Sequence, residues 1–558
     1  MTGPGAAKGA GERPPARPRF LPDARWARWT LALLVVFTVL RGGMWAMTQP
    51  LFWAPDEDYH FLYVEHLATQ YAIPSPDGPL YPREYALVTA AMEYDSYASG
   101  PRTDFTGDPK ASVGRLEGLP DSDREPREVG RGVNVVHAPL YYVGGSIVNA
   151  ALGDASPFTR IAAVRWMSAV LGGLVVFLAW LLAAQVFRRE WLQLTAAVLV
   201  ALQPMIGFLS GIVSNDIAVT AGFTGALALM LFQVRTPPLA AQGLWVGGAV
   251  AVALLAKSTA LALLPLAALA YGGQALVWPD RRGEVLRSAA IALGVVTALA
   301  GWWYVRSAVM YGSVTGAVSA VVPSGPGEAA SIGDVPGLVW DWTRLTYRTY
   351  WWHFYAREAP SAFAGLVIPF AIGVGGVLGL AFAVVRKRKA LVARHDPLLR
   401  QVLLMGAAIL VLYLPPLTAD VLRGLNGDGF ILVAGRFLLP AYPAAAVLLL
   451  VGVRELVPGR LMPWTCGALI AAAAAFCWTV WVNTYVHRYF GEASWQELFR
   501  RMSFDRPEFV TPVTYTVAAV ALIGCLAAAL TVMVVAGTRQ TGTARRPAPL
   551  RTTVGRAP

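Results

Sequence analysis

Apolar residues in this chain gather into long runs separated by short polar breaks. The runs fall at 28–48, 161–187, 191–211, 215–234, 242–256, 259–277, 288–310, 361–385, 399–419, 431–452, 462–484 and 512–536. A helix needs roughly 20 apolar residues to cross a hydrocarbon core about 30 Å thick. The pattern predicts an all-α polytopic membrane protein with about 12 transmembrane helices. One further apolar stretch, 137–152, is shorter and opens with the aromatic sequence His137-Ala138-Pro139-Leu140-Tyr141-Tyr142. It is predicted to lie on the outer membrane surface as an interfacial helix within the first extracytoplasmic loop.

Basic residues orient the spans. With the N-terminus in the cytoplasm, Arg188-Arg189, Arg235, Arg281-Arg282, Arg386-Lys387-Arg388-Lys389 and Arg454 with Arg460 all fall on the cytoplasmic side. That is the distribution the positive-inside rule requires. Counting 137–152 as a span would reverse every later loop. The extracytoplasmic side then receives 49–160, 311–360 and 485–511. Residues 28–536 form one integral membrane domain between two Pro- and Arg-rich tails, 1–27 and 537–558, which read as disordered and cytoplasmic. The polar stretch 98–132 reads mainly as an insertion.

Composition narrows the function classes. The 558-residue chain is 56% hydrophobic and only 14% charged, with a formal charge of +12. Its basic residues crowd into tails and short loops, with no aromatic-plus-basic soluble module, so a nucleic-acid partner is not expected. Cys466, Cys477 and Cys525 sit in apolar spans without disulfide or metal spacing. The first run is longer than a signal-peptide core and no small-residue cleavage site follows it, so it reads as an uncleaved helix. Phosphate loops, dinucleotide fingerprints and nucleophile elbows are absent, and the cytoplasmic loops leave no room for an ATP-hydrolysing domain.

Against this background the string Pro55-Asp56-Glu57-Asp58-Tyr59-His60, just past the first span, stands out. If Pro55 opens a helix, Asp56 and His60 share a face with Glu57 beside them. Asp56 or Glu57 could take a proton from a hydroxyl, with Asp58 and His60 in support. Asp56, Glu57 and His60 could equally hold a divalent cation such as Mg or Mn, and the residues leave metal dependence open. Acidic residues after a proline also suit a helix N-terminus without further purpose. A second set is cationic and falls on the same side: Lys257 between two spans, Arg306 at a helix end, Arg436 inside the 431–452 run, and Arg165 at the start of another. Ionisable groups in apolar spans tend to mark sites, and several cations near one interface would suit a phosphate. Snorkelling to lipid headgroups is the plainer account of Lys257 and Arg306. Asn215 and Asp216, after Ser214, are helix-capping types. Arg348, Trp352 and His353 lie in an aromatic segment suited to a membrane interface or to a sugar face, and His137 and Tyr141 are weaker candidates of the same sort.

Taken in order, P-D-E-x-x-H, H-x-P-L-Y-Y, S-N-D, K-x-T, W-x-x-R followed by Tyr311-Gly312, and G-R-F-x-x-P resemble a bacterial membrane family, domain of unknown function 2142, over roughly residues 28–455. That family in turn resembles the GT-C superfamily of membrane glycosyltransferases. The resemblance implies a GT-C-like helix arrangement and a bacterial-type cytoplasmic membrane, with an extracytoplasmic active site. It also implies transfer of a sugar from a polyprenyl-phosphate donor to a cell-envelope glycan or glycolipid acceptor, with inversion. On that pattern Asp56 or Glu57 is the candidate base, and phosphate contact is inferred for Lys257, Arg306 and Arg436. Ala138 and Ser307 depart from the pattern, and no sizeable soluble domain follows the last span. A transporter or flippase of lipid-linked glycans, or an envelope-assembly scaffold, are the competing expectations.

Overall fold

The fold comes from a computed structural model, which describes residues 21–49, 51–52, 54–75, 81–82, 126–127, 133–315, 330–351, 363–387, 396–427, 435–481 and 510–543. Most of the expected tails, and nearly all of the stretch 98–132, lie outside the described residues. In chain order the helices are α1 (Arg25–Thr48), α2 (Glu57–Gln70), α3 (Leu140–Ala150), α4 (Pro157–Val186), α5 (Glu190–Ala201), α6 (Pro204–Leu209), α7 (Asp216–Gln233) and α8 (Ala240–Ala256). There follow α9 (Leu263–Val277), α10 (Arg282–Val296), α11 (Trp302–Tyr311), α12 (Val335–Trp351), α13 (Phe363–Lys387), α14 (Leu398–Asn426), α15 (Tyr442–Leu456), α16 (Met462–Thr479) and α17 (Pro512–Thr543). A two-residue antiparallel pairing, Tyr81–Pro82 with Pro126–Arg127, is the one strand pair among the described residues.

Each apolar run carries a helix. Among the described residues, nine helices are long and apolar enough to cross a membrane, while Glu190–Ala201, Ala240–Ala256 and Ile372–Arg386 are apolar but shorter. The end helices extend past the expected borders, to Arg25 and to Thr543. α3 spans eleven residues, too few to cross at 1.5 Å of rise each. It packs instead against α2 and α4.

The run 191–211 is not one helix. α5 stops at Ala201 and α6 restarts at Pro204, because proline has no N–H and disfavours a helical residue before it. Both sides of the break are satisfied. Gln203 accepts from the Ile206 N–H at 2.6 Å, and buried Arg41 from α1 donates to the carbonyls of Ala201 and Gln203. Arg41 was not singled out from the sequence, although a cation in the middle of a span next to a Pro-broken run is the signal for such a cap.

α4 forms the centre of the bundle. α1 packs along one face and α7 along another, α7 carries α8, and α8 carries α10. The α1–α4 approach is close enough that a Cβ on Gly42 would lie 2.8 Å from Ala169 Cβ and 2.9 Å from Ser210 Cβ. Where α2, α3 and the start of α4 meet, Phe61, Tyr63, Val64, Tyr142, Ile161 and Val164 form a second, smaller core. This core fixes the acidic string against the bundle.

Candidate active site

Asp56 precedes α2 rather than lying within it. The helix begins at Glu57, so Pro55 is not its first residue, and Asp56 adopts a left-handed φ of 59°. A non-glycine residue in that region is uncommon, and Asp is among the types that tolerate it. The His60 N–H still donates to the Asp56 carbonyl at 3.0 Å, so the two remain one helical turn apart.

The turn sends the two adjacent carboxylates in opposite directions. Glu57 is fully buried, and its oxygens receive Arg165 Nε at 2.7 Å and Nη2 at 2.6 Å, with the Val213 and Phe52 N–H groups at 3.0 and 3.1 Å. Arg165 spends its remaining nitrogen on the carbonyls of Ala46 and Gln49. This pair ties α2, α4 and the end of α1 together. Glu57 as a base and Arg165 as a substrate ligand are therefore corrected: each is consumed by the other and by backbone. Asp56, by contrast, keeps 47% of its side-chain surface exposed.

Around Asp56 the chain assembles an alternating row of charges. Arg436 Nη2 lies 2.5 Å from Asp56 Oδ2, and Arg436 Nε lies 3.6 Å from Asp216 Oδ2. Lys257 Nζ lies 2.5 Å from Asp216 Oδ1. Phe437 flattens one side, with Lys257 at 4.5 Å and Arg436 at 5.3 Å from its ring centre. Lys257 is buried, so it does not snorkel. It sits where α8 breaks into a 3-10 turn, with extended φ and ψ of −164° and 147°. Asp216 opens α7 and exchanges hydrogen bonds with Ser214, while Asn215 donates to the Ala256 carbonyl at 3.2 Å. The trio Ser214-Asn215-Asp216 thus links α7 to α8 and the cations, with Ser214 Oγ taking the first N–H of α7 and the Asn215 side chain making no cap.

Arg436 reaches the row because Gly435 lets its 3-10 segment, Gly435–Ala441, lie against α12. A Cβ there would stand 2.3 Å from the Thr346 carbonyl oxygen and from the Tyr350 nitrogen.

Histidines and phenols make the floor. His60 Nδ1 and the Tyr142 hydroxyl share a 2.7 Å hydrogen bond, and the His60 and His137 rings stack at 5.8 Å. Burial pushes His60 down to about 3 and His137 well below its ordinary value, so both rings are neutral at pH 7. Burial also pushes the Tyr142 phenol up, which keeps its proton in place. For Asp56, burial raises the pKa, but Arg436 and then the other cations outweigh it and hold the carboxyl below its usual range. The Tyr141 hydroxyl is committed to protein partners, Ser168 Oγ at 2.8 Å and the Ser214 N–H at 3.0 Å.

Arg306 stands apart from the other two cations. It rests on the Trp303 ring at 5.0 Å and donates to the Tyr311 hydroxyl at 3.4 Å and the Pro74 carbonyl at 3.5 Å. Lys257 and Arg436 converge as expected, and Arg306 does not touch them. Arg348 is half-buried on α12, and Trp352 and His353 lie outside the described residues. Asp58 is buried beside Glu57 on the first turn of α2.

A family profile described as "Predicted membrane protein (DUF2142)" matches residues 39–445. The chain belongs to this family. The matched segment contains Asp56, Asp216, Lys257 and Arg436. No curated protein matches the sequence. Among solved structures, the chain is similar to the archaeal oligosaccharyltransferase AglB from Archaeoglobus fulgidus in complex with an inhibitory peptide and a dolichol-phosphate. That match has 14% identity and a TM-score of 0.45, over 84% of this chain and 57% of that one. The Archaeoglobus fulgidus oligosaccharyltransferase in complex with Zn and sulfate is similar at 12% identity and a TM-score of 0.46, over 86% of this chain and 62% of that one. The chain therefore spans about 57% of the length of the first of these.

The suggested metal trio does not form in this family member. Glu57 points to Arg165, and the described residues contain no group of three or more His, Cys, Asp or Glu side chains placed to hold a metal ion. Asp56 and Asp216, which remain, each face a cation. That donor set fits an anionic ligand better than a divalent cation.

Proposed function

We propose that this protein is a membrane glycosyltransferase that moves a sugar from a polyprenyl-phosphate donor to a hydroxyl acceptor, on the face of the membrane where α2 lies. The observation that carries this reading is the row Asp56–Arg436–Asp216–Lys257, which sets one accessible carboxylate beside a half-buried and a buried cation. The donor phosphate binds Lys257 and Arg436. Its hydrocarbon tail runs into an apolar groove of about 370 Å³ between α3, α4, α7 and α8, whose lining includes Tyr141 and Ala256, the chain neighbour of Lys257.

The chemistry follows from the order of charges. In the free protein Arg436 is bonded to Asp56, which makes the carboxylate a weak base. A phosphate drawn onto Arg436 loosens that pair and raises the basicity of Asp56. Asp56 then takes the acceptor hydroxyl proton while the oxygen forms its bond to the anomeric carbon. The bond from that carbon to the phosphate oxygen breaks, and its electron pair leaves on the phosphate. Lys257 and Arg436 stabilise that charge, and attack from the opposite face inverts the centre. Asp216 holds both cations in register, and neutral His60 and Tyr142 keep the floor uncharged.

Transfer from a radiolabelled polyprenyl-phosphate sugar in proteoliposomes tests this. Asp56→Asn should lower turnover by about 10²–10⁴-fold with donor affinity largely kept. Lys257→Met should cost about 10²–10³-fold in turnover. Full turnover in Asp56→Asn removes the base. Vectorial movement of the donor without covalent transfer removes the transferase reading altogether.

A further inference from the structure

A second apolar groove, of about 290 Å³, lies between α5, α12, α13, α15 and α16 and shares no lining residue with the first. Its wall includes Leu202, Tyr350, Val377, Ala445, Ala473 and Phe476. Two of its polar residues spend their donors on backbone. The Gln203 amide donates to the Tyr350 carbonyl at 2.9 Å, and the Tyr442 hydroxyl donates to the Leu199 carbonyl at 3.3 Å. What faces the groove is mainly hydrocarbon, and at membrane depth such a space is filled by hydrocarbon rather than water.

Its position along the row assigns the occupant. The first groove is lined in part by Ala256, the chain neighbour of Lys257. The second is lined in part by Tyr350, whose backbone nitrogen would lie 2.3 Å from a Cβ on Gly435, one residue from Arg436 and its partner Asp56. That is the end where the acceptor hydroxyl must arrive. We infer that the acceptor is a lipid-anchored glycan whose hydrocarbon chain lies in the groove lined by Tyr350, Ala445, Ala473 and Phe476. The protein thus joins two lipid-borne substrates head to head across one row of charges. A water-borne polymer or polypeptide acceptor needs no hydrocarbon channel on the Asp56 side.

This inference rests on the proposed transferase activity, and one experiment separates the two. The labelled polyprenyl-phosphate sugar is supplied with either the solvent-extractable glycolipid fraction or the water-soluble glycan fraction of the same envelope. Label should pass into a solvent-extractable product other than the donor. The series Ala445→Val, Ala445→Leu and Ala473→Phe should lower kcat/KM for the glycolipid fraction stepwise, to at least about tenfold, with donor binding by thermal shift unchanged. The graded series guards against a misfolded end member. Transfer into the water-soluble fraction, unaffected by the series, overturns the inference and leaves the transferase standing. An equal loss of donor binding across the series also overturns it, because the groove would then hold the donor. Absence of transfer into either fraction removes the parent activity and this inference with it.

Discussion

Asp56 and Glu57 are neighbours in sequence and opposite in role, and the difference is a matter of partners. Glu57 is matched at every lone pair by Arg165 and two backbone N–H groups. Removing one member of a buried pair strands the other and costs about 3–5 kcal/mol, a large share of a stability of about 5–15 kcal/mol. Nothing in the string itself separates the two residues, since Arg165 lies far along the chain and the left-handed turn at Asp56 is a tertiary outcome. The sequence did point to the string, to Lys257 and to Arg436. It grouped Arg306 with them, whereas Arg306 contacts Trp303, Tyr311 and Pro74, because a shared side of the membrane does not establish a shared cavity. The histidines give a prediction at this scale. His60 falls to about 3 from 6.5 through burial first, with Asp56 and Asp216 opposing and Lys257 and Arg436 reinforcing that fall. The folded state therefore binds fewer protons than the unfolded one below pH 6.5. Stability is full above that pH and declines as pH drops toward 3. Asp56, held low, contributes its own loss only further down, below its ordinary 3.8. Unfolding in detergent at pH 7.5, 6 and 5, on the order of a unit apart, should show Tm falling in the wild type. The fall should be shallower in the His60→Asn, His137→Gln double variant. Parallel slopes would show that the buried imidazoles do not govern the acid limb.

All four members of the charge row sit where regular structure stops. Asp56 precedes α2, Asp216 opens α7, Lys257 occupies the break after α8, and Arg436 rides a 3-10 segment. Hydrophobic periodicity finds the helices and is silent about their ends, so the elements were legible and the breaks carrying the chemistry were less so. The run 191–211 makes the same point: its apolar pattern is unbroken, yet Pro204 and Arg41 divide it. Gly435 is the element-scale test. Its backbone lies so near α12 that Gly435→Ala must push the segment away, at about 1–3 kcal/mol. The Gly435 N–H also donates to Thr349 Oγ1 at 2.6 Å. Gly435→Ala should lower Tm and weaken donor binding, because Arg436 moves with the segment. Thr349→Val should cost stability alone, about 1–3 kcal/mol for the stranded N–H. Equal donor affinity in the wild type and in a folded Gly435→Ala protein would break the link between this contact and the position of Arg436.

At the scale of the whole molecule, the long-range polar contacts sort the helix ends into two groups. Glu190 accepts from the Asp23 and Ala24 N–H groups, Gln401 donates to the Gln185 and Leu231 carbonyls, Arg400 donates to Val234, and Arg386 pairs with Glu455. These join the ends that carry Arg188-Arg189, Arg235 and Arg454. At the other end, Arg165, Arg160, Asp216 and Arg436 bind α2 and its surroundings. The basic loops and the charge row therefore lie at opposite ends of the bundle, as the loop pattern along the chain predicts. On the proposed reading, cytoplasmic retention of Lys- and Arg-rich loops would set the row facing outward, where the cell holds no ATP and a phosphate-linked sugar would bring its own activation. Cysteine labelling decides the direction. With Cys466, Cys477 and Cys525 replaced by Ala, Arg281→Cys and Thr315→Cys each place one exposed thiol at a different end. A membrane-impermeant maleimide added to intact cells should label the Thr315 variant and leave the Arg281 variant until the membrane is opened. The reverse pattern would turn Asp56 toward the cytoplasm, where soluble nucleotide sugars make a polyprenyl-phosphate donor unnecessary, and the donor assignment would fail with the orientation.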